Sequence, residues 1–221
     1  MRRTLILVEG QTEEGFVNDT LSPWLSGMGM SLVPTLLKTK RVKGGTAFKG
    51  GVTSYAKFKA DLLPLLDDRG ALVTTLLDFY GLKRAKDYPG MDSLPNGSSV
   101  VRVEHVERAI WVDIGSPKNF LPFLALHEYE AWLFADTDVL PQLVEGTPEA
   151  NAEFTAICGS YSPEDINESE ETAPSKRIFK LFPAYRKTVH GPLAAQKIGL
   201  AKIRAVCPHF DGWLKRLEAF N

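Results

Sequence analysis

Two short apolar runs constrain the fold most strongly, because each is the length of a buried strand and each ends on an acid. Residues 4–8 are followed directly by Glu9, and residues 71–77 are followed by Asp78. Continuous apolar strands of this kind are typical of a parallel sheet that is covered on both faces. Since the carboxyl ends of parallel strands meet at one edge of the sheet, we expect Glu9 and Asp78 to lie close together.

The rest of the chain alternates predicted helices with two more strands. Helices are expected after an N-cap at Thr12, after a cap at Thr53 or Ser54, and over residues 100–112. Further strands are expected over residues 32–37 and 120–126, and loops over residues 38–51, 80–99 and 161–172. This alternation predicts an α/β fold of Rossmann-like type, a mainly parallel sheet with helices on both faces, in a domain of residues 1–140. Residues 141–221 are predicted to form a helical, partly basic C-terminal extension that packs on this domain.

Bulk composition narrows the classes of function. The formal net charge of −1 excludes a strong overall basic field, so any contact with nucleic acid requires a local patch or a bound metal ion. The two cysteines, Cys158 and Cys207, lie far apart and match neither a zinc-site spacing nor a disulfide framework. No stretch approaches the roughly 20 apolar residues of a membrane span, and we expect a cytoplasmic protein.

Three of the predicted strands lead into an acid, namely Glu9, Asp78 and Glu128. Like charges in one crevice raise each other's pKa values unless a cation is present, and hard oxygen ligands favour Mg²⁺ or Mn²⁺. Such an ion polarises a phosphoryl oxygen during phosphate chemistry. The alternative is that each acid is an ordinary helix cap or loop residue.

The first motif, Leu5-Ile6-Leu7-Val8-Glu9-Gly10-Gln11-Thr12-Glu13, resembles the first motif of Toprim domains, the catalytic module of topoisomerases, primases and overcoming-lysogenization-defect nucleases. The segment Leu76-Leu77-Asp78-Phe79-Tyr80-Gly81 lies where that family carries its Asp-x-Asp motif. The wider chain resembles a Toprim-like bacterial family, the domain of unknown function 4276. That resemblance rests on residues 127–134, Pro174-Ser175-Lys176-Arg177 and the tail from Ile198 to Trp213.

This resemblance implies that Glu9 is a general acid/base or a metal ligand and that Asp78 is a metal ligand. Tyr80 replaces the second aspartate, so Glu128 or Glu130 supplies the missing ligand, or the site holds one ion, or catalysis is lost. Between these two glutamates we expect Glu128 to point inward. The resemblance also implies a neighbouring ATPase partner and a phage-defence or toxin-like role.

Other residues allow two interpretations each. His127 is a ligand or proton shuttle, or a buried structural histidine. Glu13 suits the helix dipole in the first turn and is a further candidate site residue. A basic segment either contacts a phosphate backbone or is a solvated helical face, and its candidate residues are Lys176, Arg177, Arg186 and Lys187.

The sequence therefore favours a metal-dependent nuclease-like enzyme that acts on phosphodiester bonds of DNA or RNA. Two alternatives stay open: a non-catalytic adaptor that binds a partner ATPase, and a nucleotidyl-transfer enzyme that uses the same site. The oligomeric state cannot be read from the sequence.

Overall fold

The structure is a computed structural model that describes residues 2–38, 54–85, 87–166 and 172–220. Within these ranges the sheet contains five strands, which are β1 (Arg2–Val8), β2 (Met30–Leu36), β3 (Ala71–Asp78), β4 (Phe120–Leu121) and β5 (Leu124–Ala125). The helices are α1 (Gln11–Phe16), α2 (Ser22–Ser26), α3 (Tyr55–Leu66), α4 (Phe79–Ala85), α5 (Ser99–Asp113), α6 (Val139–Leu143), α7 (Pro148–Ser160), α8 (Pro174–Leu181), α9 (Lys187–Ile198), α10 (Leu200–Val206) and α11 (Pro208–Ala219). A π-helical segment, Val17–Leu21, joins α1 to α2, and a 3₁₀ helix covers Tyr129–Ala135. Most of the predicted loop 38–51 and the candidate cap Thr53 lie outside the described residues.

The sheet is parallel and its strand order is β2-β1-β3-β4, with β5 also paired to β3. Its central strands, β1 and β3, are the two apolar runs from which the fold was predicted. Their side chains alternate between two cores: Ile6 and Val8 pack into one, and Leu7 packs into the other. The predicted fold class, a mainly parallel α/β sheet covered on both faces with a helical C-terminal extension, is confirmed.

The predicted strand over residues 120–126 is present but broken at Pro122, which has no N–H to give to a ladder. Two threonines of β3 replace the missing backbone bonds. The hydroxyl of Thr75 donates to Phe123 O at 2.7 Å and accepts from Phe123 N–H at 2.9 Å. Thr74 Oγ1 donates to Leu121 O at 2.5 Å and accepts from Trp213 Nε1 at 2.9 Å. The edge strand is therefore held by side chains as well as by backbone.

Two of the predicted loops contain residues with a defined structural role. The predicted loop 80–99 begins within a helix, because α4 follows β3 directly after Asp78. The predicted loop 161–172 contains Glu164, which is only 4% exposed. Its carboxylate accepts the N–H groups of His209 and Phe210, both at 2.9 Å, at the start of α11. Glu164 is therefore a buried cap for that helix.

The C-terminal extension packs on the sheet domain through a shared apolar core. Phe210, Trp213, Leu214 and Leu217 of α11 are all buried. Phe16 lies 5.1 Å from Trp132 and 6.1 Å from Phe210 between ring centroids, so residues from α1, the 3₁₀ helix and α11 meet there. The division at residue 140 stays a prediction. In the described part of the chain, no helix has the length and apolarity needed to cross a membrane.

Thr75→Val tests how far these hydroxyl bonds hold the edge strand. The substitution keeps the shape but leaves the buried N–H and C=O of Phe123 without the partner they have in the native protein. We expect the free energy of unfolding in urea to fall by about 1–3 kcal/mol.

Thr20→Val is the matched control. The Thr20 hydroxyl is buried and forms no hydrogen bond with the described residues, so its replacement should change stability by less than about 0.5 kcal/mol or increase it. Equal losses in the two variants would show that the Thr75 bonds do not stabilise the edge strand.

Candidate active site

The carboxyl ends of β1 and β3 bring two acids together. Because Val8 pairs with Leu76 in a parallel register, Glu9 and Asp78 leave the sheet at the same edge. The backbone N–H of Asp78 donates to Glu9 Oε2 at 3.2 Å, and the backbone N–H of Glu9 donates to Leu76 O at 3.3 Å. The two acids therefore lie side by side, as the strand pattern predicted.

The first turn of α1 adds a third acid. Glu13 is 4% exposed, and a Cβ atom placed on Gly10 would lie 3.2 Å from Glu13 Oε2. A glycine at position 10 therefore leaves room for this carboxylate. The expected N-cap at Thr12 is wrong: Gly10 occupies the cap position with extended backbone, and Thr12 already lies inside α1.

A lysine at the start of α9 brings positive charge to the same edge. Lys187 Nζ lies 3.0 Å from Oε2 of Glu130, which is fully buried. The Tyr185 hydroxyl donates to the other oxygen, Glu130 Oε1, at 3.4 Å. Since a buried carboxylate without a partner is costly, Lys187 and Tyr185 together make the burial of Glu130 tolerable.

Crowding of buried carboxyl groups shifts their pKa values upward. Burial, reinforced by the charge of Glu13, raises the pKa of Glu9 from 4.5 to about 7. Burial also raises the pKa of Glu13, and burial with the charges of Glu9 and Glu13 raises the pKa of Asp78 well above its usual value. The Lys187 ammonium opposes the shift of all three acids. Its own pKa is lowered by burial but raised more by the charges of Glu130, Asp78 and Glu13, so Lys187 stays charged.

A cavity of about 320 Å³ opens over these groups. Glu9, Glu13, Asp78 and Lys187 all line it, so the charged cluster is accessible to a ligand. Its remaining lining residues come from the end of β2 and from the starts of α1 and α9: Gly10, Gln11, Thr12, Leu36, Leu37 and Thr188. Such a volume accommodates a phosphate group and its nearest neighbours.

The cavity offers hard oxygen donors but no complete metal cage. Carboxylates such as those of Glu9 and Asp78 are the ligands that Mg²⁺ and Mn²⁺ prefer. Among the residues that the structure describes, however, no three acid, histidine or cysteine side chains are grouped so that they could hold an ion. Mg²⁺ commonly keeps several waters and binds through one or two carboxylates together with substrate phosphates. The donor set therefore suits an ion completed by water or phosphate.

The two glutamates of the 127–130 segment have different roles from those predicted. Glu130, and not Glu128, is the fully buried one, so the choice of Glu128 as the inward residue is wrong. Glu128 is half-buried and its Oε2 accepts the N–H of Ser175 at 3.0 Å. The charge of Glu128 nevertheless contributes to the raised pKa of Glu9, and that of Glu130 to the raised pKa of Asp78. Both acids therefore border the cluster.

The other candidate residues are spread around the molecule. His127 is 5% exposed, and its Nε2 lies 2.7 Å from Glu164 O. Glu164 is the residue whose side chain caps α11. Arg177 donates from Nε to Thr172 O at 2.8 Å, and its guanidinium lies 5.3 Å from the Tyr161 ring centroid. Lys176 and Arg186 are exposed. The structure thus separates the predicted basic set, and only Lys187 enters the acidic cavity.

The role of Lys187 as counter-charge is the feature that sequence reasoning missed. Its membership in a run of basic residues suggested a surface contact with nucleic acid, a role that stays a prediction. Lys187 is distant in sequence from Glu9, Asp78 and Glu130, and nothing in its local pattern marks it as their partner. The packing of α1 against α9 brings the lysine to this edge.

The fold and the site define this chain as a parallel α/β protein with acids at the carboxyl ends of its central strands. Its sequence matches the family described as domain of unknown function (DUF4276) over residues 8–218. The chain therefore belongs to the DUF4276 family, as the sequence motifs indicated.

Solved structures of two other proteins resemble this one. The C-terminal region of the Burkholderia pseudomallei OLD protein is 16% identical with a TM-score of 0.45, over 99% of this chain and 100% of that one. The C-terminal region of the Xanthomonas campestris pv. campestris OLD protein is 15% identical with a TM-score of 0.39, over 98% of each chain. At such low similarity nothing about the activity of this chain follows from either structure. No curated protein matches the sequence.

Glu9→Gln tests the electrostatic crowding through stability. Because the pKa of Glu9 is higher in the folded state than in the unfolded chain, the folded protein binds more protons between about pH 4.5 and pH 7. Stability is therefore lost as the pH rises through this window. In the absence of metal we expect Glu9→Gln to flatten this loss and to be more stable than the native protein at pH 8, by on the order of 2–3 kcal/mol.

Urea unfolding at pH 4.5, 6, 7 and 8 measures the effect, and Glu14→Gln in the same helix turn is the matched control. Glu14 does not line the cavity, so its pH profile should follow that of the native protein. Parallel profiles for Glu9→Gln and the native protein would show that the pKa of Glu9 is not raised by folding.

Proposed function

We propose that this chain is a metal-dependent, nuclease-like enzyme that hydrolyses phosphodiester bonds in DNA or RNA, with Glu9 and Asp78 at its reacting centre. One observation supports the proposal above the others: Glu9, whose pKa is raised to about 7, lies beside Asp78 in an accessible cavity. A general acid or base is most effective when its pKa is near the working pH. Burial also raises the pKa of the helix cap Glu164, so what sets Glu9 apart is that it lines an accessible cavity.

In this proposal Asp78 would hold Mg²⁺ or Mn²⁺, and Glu9 would be either a second ligand or the general acid/base. When bound, the ion would supply Lewis-acid polarisation of a phosphoryl oxygen. In either role the hydrogen bond from Asp78 N–H to Glu9 Oε2 fixes the orientation of the Glu9 carboxyl group. Glu13 keeps the pKa of Glu9 high, because its charge disfavours loss of the Glu9 proton.

Three basic residues are proposed to contact the anionic backbone of the nucleic acid. Lys187 leaves part of its side chain exposed at the cavity, with 36% of its surface accessible, so its ammonium can attract a phosphate as well as balance Glu130. Lys176 and Arg186 are exposed on the same C-terminal extension and are proposed to contact the nucleic acid further along its backbone. A cytoplasmic effector role in phage defence or in a toxin-like system is part of this proposal, by family resemblance only.

A second candidate function is a non-catalytic adaptor that binds a partner ATPase. Two observations favour it: Tyr80 stands on α4 where a second acid is expected, and no group of three metal-ligating side chains is present in the described ranges. In an adaptor the acid cluster would serve only to join β1, β3 and α9. The accessible cavity that Glu9, Glu13 and Asp78 line argues against a purely structural role.

A cleavage assay separates the two functions. Single-stranded and double-stranded DNA and RNA are incubated with the native protein and Mg²⁺ or Mn²⁺, alone and with an ATPase encoded beside it. We expect metal-dependent cleavage that Glu9→Gln and Asp78→Asn each reduce by at least about a hundredfold, the typical contribution of general acid–base catalysis.

Glu14→Gln should retain full activity, which controls for the loss of one nearby carboxyl group. No cleavage of any of these substrates by the native protein would favour the adaptor. Cleavage by Glu9→Gln at the native rate would remove Glu9 from the mechanism.

A further inference from the structure

A second cavity, of about 640 Å³, lies at the edge of the sheet formed by β4 and β5. It is bordered by α5, which covers one face of the sheet, and by α11, which covers the other. None of its lining residues also lines the acidic cavity over Glu9. Its volume lies within the range of small-molecule pockets, roughly 300–1,000 Å³. We call it the edge pocket.

Aromatic rings form a rigid wall of the edge pocket. Phe123 and Trp213 are stacked, with 4.2 Å between ring centroids and 9° between ring planes. Trp111 is half-buried, and its Nε1 donates to Pro117 O at 3.1 Å, which fixes the plane of its ring. A fixed and partly exposed indole offers a stacking surface for a planar aromatic ligand, because little side-chain entropy remains to be lost on binding.

Two arginines stand at the rim of the edge pocket, Arg108 from α5 and Arg216 from α11. Both are exposed, and neither forms a hydrogen bond or ion pair with the residues that the structure describes. Other arginines of this protein are paired: Arg204 with Asp211 and Glu218, for example. Two guanidinium groups that face one pocket from different helices are suited to an anion with several oxygens, such as a phosphate.

The floor of the edge pocket contains a fixed histidine. His209 Nε2 lies 3.1 Å from Glu107 Oε1, and this oxygen also accepts the N–H of Leu124 at 2.8 Å. The imidazole stacks on Phe123 with centroids 5.1 Å apart. Burial lowers the pKa of His209, but the hydrogen bond and the charge of Glu107 raise it more. The floor is therefore a charge-balanced pair of His209 and Glu107, and the unpaired positive charge lies at the rim.

We propose that the edge pocket is a nucleotide-binding site in which the base stacks on Trp111 and Arg108 and Arg216 hold the phosphate. The exposed acid at the rim, Glu104, disfavours a simple polyanion but can accept a hydrogen bond from the exocyclic amino group of a base. The combination of an aromatic surface, paired guanidinium groups and one acceptor matches a nucleotide better than inorganic phosphate or an apolar compound. The same chemistry is present in a free mononucleotide and in one nucleotide of a single strand.

This site is independent of the proposed phosphodiester chemistry, because binding there requires neither Glu9 nor a metal ion. The two cavities are nevertheless close in the fold. Ala125 of β5 pairs with Asp78 of β3, and Leu124 N–H binds Glu107 at the floor of the edge pocket. A nucleotide of a bound strand could therefore occupy the edge pocket beside the acidic cavity, whereas a free mononucleotide would make it a separate ligand site.

Titration with AMP in the presence of EDTA tests the proposal, with binding measured by tryptophan fluorescence and by calorimetry. We expect saturable binding, and binding of adenosine and of inorganic phosphate should each be at least about tenfold weaker. The double variant Arg108→Ala/Arg216→Ala should lose at least about tenfold in affinity for AMP. Both residues are exposed, so circular dichroism should show an intact fold.

Arg69→Ala/Lys118→Ala is the matched control, since it removes two exposed positive charges elsewhere on the surface and should bind AMP as the native protein does. A five-nucleotide single-stranded oligonucleotide then identifies the source of the ligand. Displacement of AMP by it assigns the edge pocket to a strand, and no displacement assigns it to a free nucleotide. The proposal is overturned if neither AMP nor the oligonucleotide saturates the protein, if the arginine variant binds AMP normally, or if phosphate alone binds as well as AMP.

Discussion

Burial of several carboxylates around one lysine is the constraint on which the candidate site depends. Glu9 follows β1, Asp78 ends β3, Glu13 lies on α1 and Lys187 starts α9, so the cluster exists only when four elements are packed together. The helical extension is therefore part of the site, because it brings the cation that makes the acids tolerable. Mutual repulsion can be relieved by protonation, by Lys187 or by a divalent cation. Burial and the charge of Glu13 together raise the pKa of Glu9 more than Lys187 lowers it.

Strong local periodicity made part of this architecture predictable. The apolar runs of β1 and β3 and the helix α5 could be read from spacing, and the strand ends then implied that Glu9 and Asp78 meet. The first residue of a helix and the interruption of a strand were harder to predict, because each depends on a single residue. Gly10 occupies the N-cap position expected at Thr12, and Pro122 interrupts the edge strand.

Long-range electrostatic partners could not be predicted from sequence. The sequence placed Lys187 in a basic segment and Glu164 in a predicted loop, yet both form contacts with residues far away in the chain. The choice between Glu128 and Glu130 failed for the same reason, since the 3₁₀ geometry and the position of α9 decide which carboxylate is buried. The edge pocket is also a product of tertiary packing, because α5 and α11 contribute its arginines from separate parts of the sequence.

The two cavities differ in the chemical groups that line them. In the proposed function, the acids of the acidic cavity exchange their protons for a cation, since metal ions bind carboxylates in the deprotonated form. The edge pocket joins an aromatic surface to two exposed arginines at its rim. Both adjoin the carboxyl half of the sheet, where β3 pairs with β5.

The central claim is that Glu9 holds its proton to about pH 7 because of its buried, acidic neighbours and releases it to a metal ion. A pH titration of ¹³C-labelled glutamate carboxyl groups by NMR tests it most directly, with the Glu9 signal assigned from the spectrum of Glu9→Gln. The account predicts a midpoint near 7 in EDTA and a clearly lower midpoint in saturating Mg²⁺. A midpoint near 4.5 that Mg²⁺ leaves unchanged would contradict it.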